Sequence, residues 1–109
     1  MKSMSKVLMA VLLFALPLTA GEIYGTITDG TKPVPAGVKV TITKSGKVDT
    51  TETDKFGSYR IVVKEKGKCL FTVYMKDQAP SQEVFSYDKS MRYDWVLETT
   101  DEKLTLRRK

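Results

Sequence analysis

The sequence of 109 residues contains no histidine, no asparagine and a single cysteine, Cys69. Without histidine, Ser-His-Asp and Cys-His catalysis and all histidine-based metal sites are excluded. Without asparagine, the chain offers no N-glycosylation sequon, and it cannot form a Lys–Asn isopeptide crosslink. One cysteine cannot close a disulfide within the chain, so the fold must be held by its apolar core. We expect neither a cofactor nor a metal.

Long apolar runs are also scarce. One covers residues 7–16, follows two lysines and precedes Pro17. A membrane-spanning helix needs roughly 20 apolar residues, about twice the length of this run. The arrangement therefore predicts a secretory signal peptide over residues 1–20, with cleavage near Ala20 and Gly21, in preference to the alternative of a membrane anchor. The protein would then be exported to the periplasm or the extracellular space, and would meet the membrane only transiently.

The balance of charge is mildly basic. Residues 1–20 hold two of the 18 lysines and arginines and none of the 13 acidic residues, so the exported chain carries a net charge of +3. So small an excess does not indicate nucleic-acid binding. We expect a monomer whose partner is a protein or a glycan, and no nucleic-acid partner.

From Gly21 onward the sequence consists of short alternating segments separated by turn signals, with no helical period. Apolar and polar side chains alternate with a period of two, which is typical of half-buried strands. Gly25 interrupts the first segment and predicts a bulge or a close backbone approach. Residues 99–109 are polar and end in three basic residues, so they predict a frayed, basic tail in which a short strand could form around Leu104. The predicted strands cover residues 22–28, 38–43, 48–53, 58–64, 68–75, 81–87 and 91–98.

Seven or eight short strands at this spacing predict an all-β fold, a β-sandwich. Residues 48–53 are rich in threonine and suit an edge strand, whereas residues 68–75 are partly apolar on both faces and suit a central strand. Cys69 shares a strand face with apolar residues, so we expect a buried, inert thiol. The predicted inward-facing side chains are Ile23, Ile27, Val38, Val40, Ile42, Tyr59, Ile61, Val63, Phe71, Val73, Tyr93, Trp95 and Leu97.

Residues 53–61 predict a turn that leads into a strand. The side chain of Asp54 can accept a hydrogen bond from the backbone of its own turn, and Gly57 permits a positive φ at the turn's end. Tyr59 then starts the alternation and is expected to anchor the turn to the core. We interpret these residues as determinants of the fold and not as a site.

Four sequence elements follow one another in order: Gly25-x-Ile27-x-Asp29, Pro33-Val34-Pro35-Ala36-Gly37-Val38-x-Val40, Thr53-Asp54-x-x-Gly57-x-Tyr59-x-Ile61 and Gly67-x-x-x-Phe71-x-Val73. Together they resemble the carboxypeptidase regulatory-like domain, a transthyretin-like (prealbumin-like) Greek-key β-sandwich. The resemblance covers residues 22–73 by motif and 74–98 by strand pattern alone, so the domain would span residues 21–98 before the basic tail, 99–109.

The resemblance implies a non-catalytic module, of the kind attached to peptidases, receptors and surface proteins or secreted alone by bacteria. Fold determinants, not site residues, carry over from it. The fold determinants that carry over are Gly37, Asp54, Gly57 and Tyr59. We add Trp95, because it alternates in phase with core residues.

Three functions stay open at this point. The first is a protein-interaction or structural role in the cell envelope, and the second is a carbohydrate-binding module, as in related sandwiches that bind glycans, using exposed aromatic rings. The candidate ligand-contacting aromatics are Tyr24, Tyr74 and Tyr87. A hydrolase using paired carboxylates is the residual alternative. Transthyretin-like hydrolases use histidines and a C-terminal Tyr-Arg-Gly-Ser, and this chain lacks both, so we expect no enzymatic activity.

Overall fold

The computed structural model describes residues 21–109, and the predicted signal peptide lies outside the described residues. Within this range the protein is all-β, and no helix is long and apolar enough to cross a membrane. The ten described strands are β1 (Glu22–Asp29), β2 (Lys32–Pro33), β3 (Lys39–Lys44), β4 (Lys47–Glu52), β5 (Ser58–Val62), β6 (Gly67–Tyr74), β7 (Ser81–Ser86), β8 (Ser90–Arg92), β9 (Trp95–Thr100) and β10 (Lys103–Arg108).

Two sheets pack against each other in a sandwich-like arrangement, as the alternation predicts. One has four antiparallel strands in the order β4-β3-β6-β7. The other is built around β1, which pairs antiparallel with β5 and β2 and parallel with β8 and β9, while β10 extends the sheet beyond β9. The predicted positions of two strands are confirmed, because β4 is an edge strand and β6 is central.

The last predicted strand, residues 91–98, is split into β8 and β9 at Tyr93 and Asp94. Both halves lie parallel to β1, but the ladder stops where the Asp94 carboxylate takes the place of a backbone acceptor. Asp94 Oδ1 accepts the Thr26 N–H at 2.9 Å. The predicted close backbone approach at Gly25 is confirmed, because a side chain there would collide with the Tyr93 carbonyl. This split and the short strand β2 raise the number of strands above the predicted seven or eight.

The predicted frayed tail over residues 99–109 is wrong. Residues 103–108 form β10, which pairs with β9 along its whole length, and the short strand expected around Leu104 is part of it. The reason is the spacing of Leu104 and Leu106, which puts both side chains on one face of a strand, where they are buried. The Gln82 amide on β7 donates to the Leu106 carbonyl and joins β10 to the other sheet, and the Gln78 amide in the loop before β7 bonds to Leu104 and Glu102.

The core lies between the sheets and contains every predicted inward-facing residue. Cys69 is buried among them, as expected. The sequence-based list omits several further buried apolar residues, because they lie in a bend, on a strand of weak alternation, in the supposed tail or, for Val96, on the strand face that the alternation assigns to solvent. These are Val34, Val84, Val96, Leu104 and Leu106.

The turn in residues 53–61 holds the sheets together at one end. Asp54 Oδ1 accepts the N–H groups of Phe56 and Ser58, both at 2.9 Å, which confirms its predicted part in its own turn. Gly57 has φ +73°, and its carbonyl accepts the Ile27 N–H at 2.8 Å. A Cβ on Gly57 would lie 2.6 Å from the Ile27 carbonyl oxygen, so both its φ and its surroundings require glycine.

We predict that Gly57→Ala lowers the free energy of unfolding by about 1–3 kcal/mol more than Gly30→Ala, since overpacking costs that much. Gly30 is a matched control because it has the same φ, +73°, but open space where a Cβ would lie. Denaturant unfolding of both variants provides the comparison, and equal losses would show that the close contact at Gly57 does not matter.

We also predict that Leu106→Ala lowers the free energy of unfolding by about 2–4 kcal/mol, because it removes a buried side chain from β10. The neighbouring exposed residue serves as the control, and Thr105→Ala should change the value by less than about 0.5 kcal/mol. A Leu106→Ala variant as stable as the control would mean that β10 does not contribute to the core.

Candidate binding surfaces

A chain of buried hydrogen bonds fixes the centre of the molecule. The Tyr59 hydroxyl donates to the Tyr93 carbonyl at 2.6 Å and accepts the Trp95 Nε1–H at 3.2 Å. Burial raises the pKa of Tyr59 well above its usual value, and the bond from Trp95 only partly opposes this shift. The phenol therefore stays neutral and acts as a structural donor.

Tyr24 lies on the outer face of the β1 sheet, half-buried between two arginines. It is directly opposite Arg60 on β5 and Arg92 on β8. The guanidinium carbons lie 5.4 Å and 5.8 Å from the centre of its ring. Cation–π contacts therefore flank the ring from both neighbouring strands, which leaves little of it free to stack on a ligand.

Arg60, Tyr24 and Arg92 form a row across three strands, and carboxylates already neutralise both of its arginines. Arg60 pairs with Glu22 at 2.8 Å, and Arg92 Nε bonds to both oxygens of Asp94 at 3.0 and 3.2 Å. Partial burial works against the ionised form of Asp94, but hydrogen bonds from Thr26 and Arg92 outweigh it and hold its pKa below the usual value. Asp94 thus stays ionised as a structural acceptor.

An open groove of about 450 Å³ runs beside this row, and Glu52, Asp54 and Ser58 contribute to its wall. Its lining holds charges of both signs, because Arg60 and Arg92 lie on one side and the carboxylates of Glu52 and Asp54 on the other. The groove can offer hydrogen bonds to a polar ligand, but it does not concentrate charge of one sign.

Tyr74 lies on the opposite side of the molecule, on the outer face of the four-stranded sheet. Its side chain is exposed, Lys39 Nζ lies 5.1 Å from the centre of the ring, and its hydroxyl accepts a long 3.5 Å bond from Thr41 Oγ1. The structure therefore does not bring the three predicted aromatics together: Tyr24 is on one sheet, and Tyr74 and Tyr87 belong to the other.

Tyr87 belongs to an exposed apolar cluster that we call the aromatic patch, made of Leu70, Phe85 and Tyr87. The rings of Phe85 and Tyr87 are nearly parallel, 14° apart, with centres separated by 6.4 Å. Leu70 is diagonal to Phe85 across the β6–β7 pair. All three side chains are more than 40% exposed, at 42%, 43% and 46% in that order.

A mostly apolar cleft of about 660 Å³ extends from the aromatic patch. Met91 and the Tyr87 ring line it, together with Lys66, Asp88 and Lys89. Lys66 and Asp88 form an ion pair at its rim. Patch and cleft thus form one surface with an apolar centre and a charged border.

The predicted site residues did not include Phe85 and Leu70. Phe85 has a sequence signal, because it stands two residues before Tyr87 and next to the buried Val84. Leu70 becomes part of the patch only through the register of β6 against β7, and a single sequence does not reveal that register.

The described residues contain no cluster of three or more His, Cys, Asp or Glu side chains able to hold a metal. Burial raises the pKa of the Cys69 thiol, although Lys44 opposes the shift. Its Sγ lies 3.5 Å from the Gly67 carbonyl as a weak donor. This environment favours the unreactive thiol over the thiolate.

Comparison with known proteins identifies no family for this chain. No family model matches the sequence, and no curated protein matches it. Among solved structures, a 9R-lipoxygenase from Cyanothece PCC8801 is similar over 76% of this chain, with 13% identity and a TM-score of 0.46. The matched region is 17% of the lipoxygenase chain, and a likeness of this degree indicates neither family nor function.

We predict that Asp94→Asn lowers the free energy of unfolding at pH 7 by about 1 kcal/mol, because charge-assisted bonds become neutral ones. The pKa of Asp94 is depressed in the folded protein, so its contribution is present above the unfolded value of about 3.9 and is lost as the pH falls below it. The variant should therefore lose less stability than the parent between pH 5 and pH 2 (an approximate window).

The control is Asp101→Asn in the exposed turn between β9 and β10, where Asn tolerates the positive φ of 52°. It should leave both the stability at pH 7 and the acid slope unchanged. Parallel acid slopes for the parent and Asp94→Asn would contradict the proposed part of Asp94 in stability.

Proposed function

We propose that the protein is a non-catalytic, exported β-sandwich module that binds a partner protein of the cell envelope through the aromatic patch. The observation that carries the proposal is the patch itself, two neighbouring exposed rings with an exposed leucine diagonal to one of them, continued by an apolar cleft. Contiguous exposed apolar surface on a folded domain commonly marks an interaction site. Aromatic residues are also enriched in the centres of interfaces.

The rigidity of the patch supports this function. The Tyr93 hydroxyl bonds to both backbone groups of Phe85, accepting from its N–H at 3.0 Å and donating to its carbonyl at 3.3 Å. The outer edge of β7 is thereby fixed to the core at the residue that carries an exposed ring. A backbone that is already ordered at Phe85 loses little conformational entropy on binding, so more of the contact energy is available for affinity.

The charged border suggests the character of the partner surface. Lys66 and Lys68 are exposed and paired with Asp88 and Glu83, and Lys89 lies beside the cleft. The exported chain carries a net charge of +3. An apolar surface with a mildly acidic rim would complement this arrangement.

We further propose that the domain belongs with the carboxypeptidase regulatory-like, prealbumin-like sandwiches of Greek-key type. The crossovers between the sheets support this proposal, since β5 joins β1 and β6 returns to lie beside β3. So does the turn at residues 53–61, which uses Asp54 and Gly57 as the resemblance implies. The exported location, in the periplasm or outside the cell, rests on the pattern of residues 1–20.

Glycan binding is the second candidate function, and the parallel rings of Phe85 and Tyr87 favour it. Two neighbouring rings on a sheet can stack on successive sugar units. This places the glycan on the same patch and not on Tyr24, whose ring is flanked by two guanidinium groups.

We predict that a photo-crosslinking residue at position 85 or 87 captures one defined envelope protein in exporting cells, and that the same residue at position 56 does not. Phe56 is the matched control because it is an exposed aromatic, 65% accessible, in the turn outside the patch. With the purified partner, Phe85→Ala should weaken binding about 30-fold, the effect of losing roughly 2 kcal/mol at an interface centre. Phe56→Ala should have no effect.

A glycan panel applied to the same variants separates the two candidates. Binding of a glycan that is lost in Phe85→Ala, without a protein partner, would replace the first proposal by the second. A chain that binds neither, or that binds equally well after Phe85→Ala and Tyr87→Ala, would refute the patch as the site.

A further inference from the structure

Gly21, the residue after the predicted cleavage point, is buried and fixed in place. Its carbonyl accepts the Val63 N–H at 2.9 Å, and β1 begins at the next residue. A substituent in the Cβ position of Gly21 would lie 3.0 Å from the Val63 carbonyl oxygen and 3.1 Å from Ser86 Oγ. The Tyr87 carbonyl oxygen is closer still. Three oxygen atoms therefore surround this position on the Gly21 Cα, and the Tyr87 carbonyl must shift outward before an atom larger than hydrogen fits there.

The Ser86 hydroxyl is independent evidence that a hydrogen-bond partner belongs at this position. The residue is 1% exposed, and within the described residues its Oγ is buried without a hydrogen-bond partner. Buried hydroxyl groups nearly always have such a partner, and an unsatisfied one costs stability. The other two atoms at the position are carbonyl oxygens, which only accept, so the site calls for a donor with several hydrogens.

Cleavage before Gly21 would produce such a donor at this position. Hydrolysis of the Ala20–Gly21 bond by a signal peptidase leaves a carboxylate on Ala20 and an ammonium group on Gly21. With its carbonyl held by Val63, Gly21 can then turn by about 120° about its Cα–C bond, because the substituents on a tetrahedral carbon are staggered at that interval. This turn moves the nitrogen toward the position that a Cβ would occupy, and a small outward shift of the Tyr87 carbonyl brings all three oxygen atoms to hydrogen-bond distance. In the uncut chain the same nitrogen is an amide bonded to Ala20, so it carries one hydrogen and no charge.

We propose that the α-ammonium group of Gly21, created by cleavage after Ala20, binds in a site formed by Ser86 Oγ and the carbonyl oxygens of Val63 and Tyr87. An ammonium group has three N–H donors, which matches the three acceptors. Hydrogen bonds from a charged donor are stronger than neutral ones. The proposal rests on the cleavage that is part of the proposed function, and it adds that the new N-terminus locks β1 to β5 and β7.

The test compares the chain that starts at Gly21 with one that retains Ala20, each purified with a free N-terminus. In the longer chain the ammonium group is on Ala20, one residue away from the proposed site, and the Gly21 nitrogen is an amide. We expect the midpoint of thermal unfolding to fall by about 5 °C in the longer chain, the shift that about 1 kcal/mol causes in a domain of this size. Ser86→Ala should lower the midpoint of the Gly21 chain by a similar amount, whereas in the longer chain it should leave the midpoint unchanged or raise it, because there it removes an unsatisfied hydroxyl.

The matched control is Ser81→Ala, an exposed serine on the same strand, which should have no effect in either chain. A second measurement does not depend on any substitution. An acylating reagent at neutral pH reacts with α-amines in preference to lysines, because their pKa values are about 8 and 10.4. The Gly21 amine should react at least about tenfold more slowly than the Ala20 amine, a difference that mass spectrometry measures and that matches a protection of 1.4 kcal/mol.

Three results would overturn the proposal. Equal midpoints for the two chains, or the same Ser86→Ala effect in both, would mean that Ser86 is satisfied in another way, for example by a buried water. Equal acylation rates would mean that the amine is in solution. An exported protein whose intact mass does not correspond to residues 21–109 would refute cleavage at Gly21, whereas loss of partner binding in patch variants bears only on the proposed function.

Discussion

The Tyr59 hydroxyl group is the interaction on which the rest of the structure depends. It accepts from Trp95 and donates to the Tyr93 carbonyl, at the place where the strand opposite β1 is interrupted. All three rings are buried, and Phe71 packs against Tyr59 and Trp95 with ring centres 5.1 and 5.0 Å away. A buried polar network is favourable only when each member is satisfied. The position of Tyr93 is therefore fixed by hydrogen bonds and by packing together.

This network connects the core to the surface through Tyr93. Its backbone receives the bond from Tyr59, and its hydroxyl bonds to both backbone groups of Phe85 on the other sheet. The same residue thus organises the interior and fixes the edge strand that carries the aromatic patch. The perturbed pKa values of Tyr59, Asp94 and Cys69 have structural causes of this kind. Perturbed groups can mark catalytic sites, but here packing and hydrogen bonding account for each of them.

Sequence alternation could predict the core because one face of each strand is buried, and burial follows a period of two. It could also predict the turn at Asp54 and Gly57, whose chemistry is local. It could not predict the split at Asp94, because the Thr26 N–H that its carboxylate accepts lies 68 residues away. For the same reason the sequence does not predict that two arginines from distant strands flank Tyr24. The aromatic patch was found only in part, since the alternation exposes Tyr87 but the register between β6 and β7 decides that Leu70 is beside Phe85.

Tyr87 takes part in both proposed sites, the aromatic patch and the binding site for the Gly21 ammonium group. Its ring belongs to the aromatic patch, whereas its carbonyl oxygen faces the position proposed for the Gly21 ammonium group. It lies just beyond the end of β7, where no ladder bond holds the chain. A charged donor bonded to its carbonyl would restrain that end of the patch, because the ring and the carbonyl belong to the same short segment. Removal of residues 1–20 would then do more than release the exported protein from the membrane: it would complete the surface that we propose binds the partner, and only the cleaved form would present it in full.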